Sequence, residues 1–242
     1  MEKISSGNQD LDSFLNGGYE NDVITTFYGP AGSGKTNLCM LAAVYAAKSG
    51  KKVVFIDTEG GFSVDRLKQL TNESVLNNIL LLKATNFSEQ QELFNRLLDE
   101  VNENLGLIIV DSMVMLYRLE LGLAREAESD KRIMGINRSM SRQLRILSEI
   151  ARKKNIPVLI TDQVYSDFLK NGDDKELKEK KVHMVGGDLL KYWSKCIIEL
   201  RRDGNYKRRA LLRKHRSLPE KELVFYITDK GIEKAKQGFR LF

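Results

Sequence analysis

The fold of this chain is decided by one stretch of eight residues, Gly29-Pro30-Ala31-Gly32-Ser33-Gly34-Lys35-Thr36. It matches the phosphate-loop pattern G-x-x-x-x-G-K-[ST]. An apolar, β-branched run precedes it at residues 23–28, and an apolar helical pattern follows it at residues 38–47. Because the motif requires a strand before it and a helix after it, this context predicts a triphosphate-binding loop, with a chance glycine turn as the alternative.

Each residue type in the loop suits a bound triphosphate. Gly29, Gly32 and Gly34 lack a Cβ and therefore let backbone amides approach the phosphates closely. Lys35 is expected to reach the β and γ oxygens, and the Thr36 hydroxyl is expected to complete a Mg²⁺ shell. The helix that begins near the last glycine adds dipolar attraction for an anion. We therefore assign the whole loop to nucleotide binding.

Composition limits the class of protein. A chain of 242 residues that is 42% hydrophobic and has no low-complexity break predicts a single domain, residues 1–242. The two cysteines, Cys39 and Cys196, have no metal-ligand spacing, and we expect reduced thiols. No stretch approaches the ~18 uninterrupted apolar residues of a membrane span, and the N-terminus lacks a signal-peptide core. We therefore expect a cytoplasmic protein with no membrane partner.

The net charge of +6 is concentrated near the C-terminus. Residues 201–216, called here the basic hairpin, hold eight Lys and Arg side chains against Asp203 alone. Such a cluster indicates an anionic partner, either nucleic acid or nucleotide, with a solvated strand face as the alternative. The candidate DNA contacts within it are Arg201, Arg202, Lys207, Arg208 and Arg209.

Strand and helix patterns alternate after the phosphate loop. Continuous apolar runs, typical of strands buried on both faces, occur at residues 53–56, 79–82, 105–110 and 156–160. Two further strands flank Asp203-Gly204-Asn205, a hairpin signal, and a strand at residues 223–227 precedes a short C-terminal helix. The pattern predicts an α/β fold with a mostly parallel central sheet, flanking helices and a C-terminal antiparallel hairpin.

The segments between the strands are predicted to be helices in two places and loops in two others. A capping box at Ser88 and Gln91 predicts a helix start, and a long amphipathic helix is expected from Ile136 to Ala151. Residues 113–130 have poor periodicity and predict a mobile loop. Residues 164–187 are polar and punctuated by glycine, which predicts a second flexible loop.

Three predicted strands end in polar residues. Because ligands of open α/β sheets bind beyond the carboxyl ends of the strands, Glu59, Asp111 and Gln163 should surround the phosphates. Asp111 can hold Mg²⁺ through water, Glu59 is a candidate general base for the attacking water, and Gln163 is a candidate γ-phosphate sensor. Alone, Glu59 could be a helix N-terminal carboxylate and Gln163 a strand-end polar residue. Together with the phosphate loop they predict a nucleoside triphosphatase.

The combination of motifs resembles the RecA-type recombinase core, and in particular short archaeal paralogues of that family. The matching stretches, besides the phosphate loop, are Ile4-Ser5-Ser6-Gly7 with Leu11-Asp12, Phe55-Ile56-Asp57-Thr58-Glu59-Gly60-Gly61-Phe62, Ile108-Ile109-Val110-Asp111-Ser112, Leu159-Ile160-Thr161-Asp162-Gln163-Val164, Gly186-Gly187 and Leu218-Pro219-Glu220. The resemblance spans nearly all of the chain. It implies a RecA-type fold that uses ATP and Mg²⁺ and acts on DNA.

The resemblance also implies roles for individual residues. Glu59 takes the place of the catalytic carboxylate, and Arg66 falls where archaeal recombinases place an arginine on the adenine face, although it could equally be a helix-surface residue. The segments after Ser112 and after residue 163 occupy the positions of the family's two DNA-binding loops. Arg118 and Lys181 are the candidate DNA contacts in these loops.

Lys214-His215-Arg216 resembles the Lys-x-Arg finger of hexameric ATPases of the same fold. The resemblance implies that Lys214 and Arg216 act as catalytic residues on the γ-phosphate of a neighbouring subunit, the alternative being an ordinary basic strand end. Full recombinases of the family carry an N-terminal helical domain through which they polymerise, whereas this core begins at once. We therefore expect a homo-oligomer, a dimer or a ring, rather than a long filament.

These observations predict an ATP-binding, weakly hydrolysing paralogue that binds single-stranded or branched DNA and assists homologous recombination and repair. A recombinase or a junction-processing nuclease is the protein partner that this interpretation allows. Two alternatives remain open at this point. One is a nucleotide-switched module that regulates a recombinase or nuclease, and the other is a hexameric ATPase outside DNA metabolism.

Overall fold

Strands and helices alternate through most of the chain, as the apolar runs predict. The structure, a computed structural model, describes residues 2–100, 103–166, 182–204 and 206–235. The strands are β1 (Lys3–Ile4), β2 (Tyr19–Glu20), β3 (Ile24–Tyr28), β4 (Lys52–Asp57), β5 (Ile79–Lys83), β6 (Leu105–Asp111), β7 (Val158–Asp162), β8 (Val164–Ser166), β9 (Val182–Met184), β10 (Ser194–Asp203), β11 (Lys207–Lys214), β12 (Lys221–Thr228) and β13 (Gly231–Lys234). The helices are α1 (Gln9–Phe14), α2 (Lys35–Lys48), α3 (Val64–Leu70), α4 (Glu73–Leu76), α5 (Phe87–Glu100), α6 (Met115–Glu126), α7 (Asp130–Lys154) and α8 (Gly187–Trp193).

Nine of these strands form one sheet, in the order β13-β12-β11-β10-β3-β7-β6-β4-β5. Neighbours from β10 to β5 are parallel, and β11, β12 and β13 extend the sheet as antiparallel strands. The predicted fold class is thereby confirmed. Its antiparallel part contains one strand more than predicted, because β13 pairs with β12 where a short C-terminal helix was expected. Residues 236–242 lie outside the described residues.

The central strands β3, β6 and β7 are buried on both faces of the sheet, since successive side chains point to opposite sides and helices cover both. On one side, Phe27, Phe55 and Ile109 pack with α1, α2 and α3. On the other, Ile108 and Ile160 belong to a second core with α5, α7 and α8. The continuous apolar runs of the sequence are therefore explained by two cores rather than one.

The segment predicted as a mobile loop, residues 113–130, instead contains helix α6, and that prediction was wrong. Leu116 and Ala124 are buried against neighbouring helices. Apolar side chains also lie on the exposed side of the helix, where Leu119 is 57% exposed and Leu123 is 53% exposed. Helix α6 is nevertheless amphipathic, so its 3.6-residue period is present in the sequence and the loop prediction overlooked it.

Two local predictions also need correction. The N-terminus of α5 is capped by Asn86, whose Oδ1 accepts from the amide of Glu89 at 2.9 Å, so Ser88 lies inside the helix rather than at its cap. The second predicted loop is ordered at both ends, where β8 pairs antiparallel with β9. None of the described helices is long and apolar enough to cross a membrane.

Candidate nucleotide-binding site

The site lies at the carboxyl edge of four adjacent parallel strands, β3, β7, β6 and β4. Their last residues are in register, with Tyr28 opposite Asp162 and Asp57 opposite Asp111. The residues that follow these strands therefore emerge side by side. The sheet topology brings together the phosphate loop and the predicted residues Glu59, Asp111 and Gln163.

The phosphate loop is closely packed against the sheet. A Cβ on Gly29 would lie 2.1 Å from the carbonyl oxygen of Leu200, so only glycine fits there. Gly34, with φ of 103°, is the N-cap of α2 in a left-handed conformation that a glycine adopts readily. The loop therefore aims the first amides of a buried 14-residue helix at its own concave side.

Lys35 is held inside this loop. Its Nζ donates to the carbonyl oxygens of Gly29 at 2.7 Å and Pro30 at 3.1 Å, and it lies 3.5 Å from Gln163 Oε1. Burial lowers the pKa of Lys35, while the nearby carboxylates, Glu59 foremost, act in the opposite direction. A buried ammonium beside several carboxylates is suited to bind a polyanion.

A candidate Mg²⁺ site lies where α2 meets the end of β6. Thr36 Oγ1 donates to Asp111 Oδ2 at 2.6 Å, and Thr161 Oγ1 donates to Asp111 Oδ1. Burial raises the pKa of Asp111, and the two hydroxyl donors act against that rise. In the described part of the chain, no group of three or more His, Cys, Asp and Glu side chains is placed to hold a metal. One carboxylate and one hydroxyl nevertheless fit Mg²⁺, which takes one or two protein oxygens and completes its shell with phosphates and water.

Asp57 shapes the loop that presents Glu59, a role that the sequence analysis missed. Asp57 Oδ1 accepts from the amides of Glu59, Gly60 and Gly61 at 2.9 to 3.2 Å, and Oδ2 accepts from Phe62 at 3.2 Å. An Asp at a strand end followed by two glycines is a recognisable signal for such a turn. The four bonds fix the backbone from which the Glu59 side chain projects.

Glu59 and Gln163 are in direct contact. Gln163 Nε2 donates to both carboxylate oxygens of Glu59, at 3.1 and 2.9 Å. The two residues come from strands that are not neighbours, since β6 lies between β4 and β7. The contact therefore crosses over the end of β6 at the carboxyl edge of the sheet.

A second residue that the sequence analysis missed is Asp162, beneath the phosphate loop. Its side chain is fully buried, with Oδ2 accepting from the Gly186 amide at 3.1 Å and Oδ1 without a hydrogen-bond partner among the described residues. Burial raises the pKa of Asp162 to about 7, against the effects of the backbone donors and Lys35. Its backbone oxygen also accepts from the Gly29 amide at 3.4 Å. Asp162 therefore connects the phosphate loop with the start of α8.

Arg66 lies beside α2 and the turn between β12 and β13. Its guanidinium donates to Asn37 Oδ1 at 2.9 Å, to the Thr228 carbonyl at 2.7 Å and to the Asp229 carbonyl at 3.2 Å. The structure thus holds Arg66 next to Asn37, the residue immediately after the Lys35-Thr36 pair. Its contact with an adenine ring stays a prediction.

Lys214 and Arg216 lie far from their own phosphate loop. Lys214 is opposite Ile197 in the sheet and donates to the Lys191 carbonyl at 2.6 Å. Arg216 pairs with Glu20 at 3.0 Å and with Asp22 at 3.1 Å, at the amino end of β3. The phosphate loop follows the opposite end of β3, so these cations cannot act on a nucleotide bound by the same chain.

The basic hairpin is largely neutralised by carboxylates. Arg201 pairs with Glu199, and the remaining ion pairs join Arg209 to Asp203 and Glu222, Arg213 to Glu199 and Glu220, and Arg216 to Glu20 and Asp22. Arg208 Nε donates to the Gly32 carbonyl of the phosphate loop at 2.9 Å. Among the described residues, Arg202 and Lys207 take part in no ion pair. The number of Lys and Arg residues in the basic hairpin therefore overstates the positive potential at its surface.

The loop candidates for DNA binding are only partly described. Arg118 lies on α6, in a groove that it lines together with Tyr117, Arg125 and Val185. Lys181 lies outside the described residues. The contact of Arg118 with DNA stays a prediction.

Comparison with known proteins identifies the family to which this chain is similar. A family model described as Rad51 matches residues 1–235. The chain is similar to proteins named "DNA repair and recombination protein RadB", with 38% identity over 233 residues in Methanobrevibacter smithii (93% of each chain) and 41% over 227 residues in Methanococcus maripaludis (92% of this chain, 97% of the relative). It also resembles a solved structure titled "Crystal structure of the RadB recombinase", with a TM-score of 0.78 and 36% identity, covering 96% of this chain and 100% of that one.

Proposed function

The chain belongs to the Rad51 family, within its RadB group, and from that premise we propose that it binds ATP with Mg²⁺, hydrolyses it slowly and assists DNA repair and recombination. The observation that carries the proposal is the convergence of four strand ends on the phosphate loop. It places Lys35, the Thr36–Asp111 pair and the Glu59–Gln163 pair around one space.

Binding would begin with an exchange of partners at Lys35. The ammonium leaves the carbonyl oxygens of Gly29 and Pro30 and takes the β and γ oxygens of ATP, which are charged acceptors. Loop amides and the N-terminus of α2 bind the remaining phosphate oxygens. Thr36 and Asp111 would hold Mg²⁺, and the bound ion would neutralise charge that develops on the phosphates during transfer.

Hydrolysis would use the contact between Glu59 and Gln163. A water oxygen forms a bond to the γ-phosphorus while the bond to the β–γ bridging oxygen breaks, and Glu59 accepts the water's proton. Gln163 lies within reach of both Lys35 and Glu59. It can therefore move with the γ-phosphate and change the position of the base.

Assembly would complete the site. Because Lys214 and Arg216 cannot reach the nucleotide of their own chain, their catalytic role requires a second copy in a dimer or ring. A monomer would then hydrolyse ATP slowly. Arg202 and Lys207 of the basic hairpin and Arg118 on α6 are the cations proposed to contact DNA.

The test is ATP binding by a Lys35→Ala variant. Loss of charge-assisted bonds to two phosphates costs about 3 kcal/mol, so affinity should fall about 100-fold. Lys48→Ala is the matched control, because Lys48 lies at the other end of the same helix and is exposed. Calorimetry with Mg²⁺ and ATP that gives equal affinity for both variants would contradict the proposal.

A further inference from the structure

Helix α7 carries a second concentration of positive charge. Eight of its side chains are Lys or Arg, against only Asp130 and Glu149, so the helix has a formal charge of +6. This equals the net charge of the whole chain. The cations are dispersed along 25 residues, which makes them less conspicuous in the sequence than the basic hairpin.

Four of these cations form a row on one face, which we call the arginine ridge. The spacing i, i+4, i+7 and i+14 places them within about 80° around the helix axis, along about 21 Å. The opposite face is buried in the core, and all four are exposed. The ridge consists of Arg138, Arg142, Arg145 and Arg152.

Carboxylates neutralise the arginine ridge only in part, through Glu149, whose pKa is lowered mainly by Lys153 and also by Arg145. Among the described residues no ridge arginine takes part in an ion pair, and Glu149, the carboxylate on the same face, pairs with Lys153 at 2.6 Å. Arg142 is three and four residues from its ridge neighbours Arg145 and Arg138, a spacing at which like charges repel and weaken a helix. Local conflicts of this kind are expected where a surface has a function. The basic hairpin differs, because its arginines are mostly paired.

The surroundings of the arginine ridge indicate what it binds. The groove between α5 and α7 is lined by polar side chains, among them Gln91, Asn95 and Gln143. On the other side of α7 the groove is lined by Ser148 and the indole of Trp193, together with ridge arginines. Protein partners are anchored mainly by large side chains in desolvated pockets, whereas the groove between α5 and α7 is lined mostly by polar side chains. Cations in a row beside amide donors and an aromatic ring instead suit phosphates and unstacked bases.

We propose that the arginine ridge binds the phosphate backbone of DNA, on the helix layer that covers the sheet beside the nucleotide site. This inference rests on the proposed function, in that DNA must be a partner. It adds a helix to the DNA surface, beyond the cations Arg118, Arg202 and Lys207 of the proposed function. Binding there depends on charge and is independent of base sequence.

The test uses the full chain and measures fluorescence anisotropy of labelled oligo-dT and of a labelled duplex across a salt series. The variant Arg142→Gln with Arg145→Gln removes two ridge charges and keeps good helix formers. The slope of log affinity against log salt should fall by about 1.8 for the duplex and about 1.4 for the single strand. The control, Lys154→Gln with Lys230→Gln, removes two exposed charges off the ridge and should leave the slope unchanged.

The outcomes separate the inference from the proposed function. If the unaltered protein binds DNA and the ridge variant has the same slope, the inference is overturned and the proposed function stands. If the unaltered protein binds ATP but no DNA at any salt, the inference and the DNA part of the proposed function both fail. If the ridge variant loses binding to polyglutamate but not to DNA, the ridge is a surface for acidic proteins and the inference is overturned. Equal unfolding midpoints would show that the variants are folded.

Discussion

Gln163 donates through its side-chain amide to both carboxylate oxygens of Glu59, at 3.1 and 2.9 Å. The Oε1 atom of the same amide lies 3.5 Å from Lys35 Nζ. One side chain thus joins the cation that would bind the γ-phosphate to the carboxylate that would activate water. A ligand that draws Lys35 away from Gln163 frees the amide to turn, and the position of Glu59 changes with it.

Replacing Glu59 by Gln should preserve ATP affinity and suppress turnover. The amide keeps the shape of the side chain but cannot accept the water's proton, and general-base catalysis contributes about 100-fold or more. Steady-state turnover and calorimetric affinity measure the two effects separately. Glu73→Gln, at an exposed carboxylate of α4, is the control and should change neither quantity. Normal turnover in Glu59→Gln would remove Glu59 from the proposed catalytic role.

The candidate nucleotide site could be predicted because its signals are local. The phosphate loop lies between a strand and a helix in the sequence, and Glu59, Asp111 and Gln163 each follow an apolar run. Parallel strands buried on both faces end at one edge, so these residues had to lie together.

Other parts could not be predicted because they depend on distant contacts. The environment of Asp162 depends on its burial and on a hydrogen bond from the amide of Gly186, which is 24 residues away in the sequence. The partners that neutralise Arg209 and Arg216 include Glu222 and Glu20, and the second of these pairs joins residues 196 positions apart. Sequence charge counts therefore identified a basic segment but not how much of its charge remains unpaired.

Asp162 should make stability depend on pH. Its pKa is about 7 in the folded chain, raised from 3.8 mainly by burial, with Lys35 and Glu59 facing it from α2 and from the loop after β4. Between about pH 4 and 7 the folded chain therefore binds a proton that the unfolded chain has lost, and stability falls as pH rises through that window. Asp162→Asn removes the titration while its carbonyl can still accept from Gly186.

Thermal unfolding of both proteins at pH 5 and pH 8 tests this prediction for Asp162. The variant should gain stability relative to the unaltered protein as pH rises, by up to about 1.4 kcal/mol per pH unit inside the window. Above about pH 7 the difference should become constant. A difference in unfolding midpoint that is the same at pH 5 and pH 8 would show that Asp162 is ionised throughout.

Lys214 and Arg216 should matter only where subunits meet. Lys214→Ala or Arg216→Ala should lower ATPase activity, because each removes a cation that acts on a neighbour's γ-phosphate. Mixing either variant with Lys35→Ala should restore part of the activity, since hybrid interfaces combine an intact loop with intact cations. Turnover per subunit should also rise with protein concentration. If mixing restores nothing and turnover is independent of concentration, the two residues are ordinary basic residues at a strand end.

Arg208 and Arg209 are adjacent in β11 but should affect different ligands, because neighbouring strand residues point to opposite faces. Arg208 donates to the Gly32 carbonyl and so helps to hold the phosphate loop. Arg208→Ala should therefore weaken ATP binding by about threefold to tenfold, which corresponds to the loss of one hydrogen bond. Arg209 is paired with Asp203 and Glu222, so Arg209→Ala should leave ATP affinity unchanged. Neither change should alter the salt dependence of DNA binding. A slope that falls by about one for either variant would instead show that the substituted arginine contacts a phosphate.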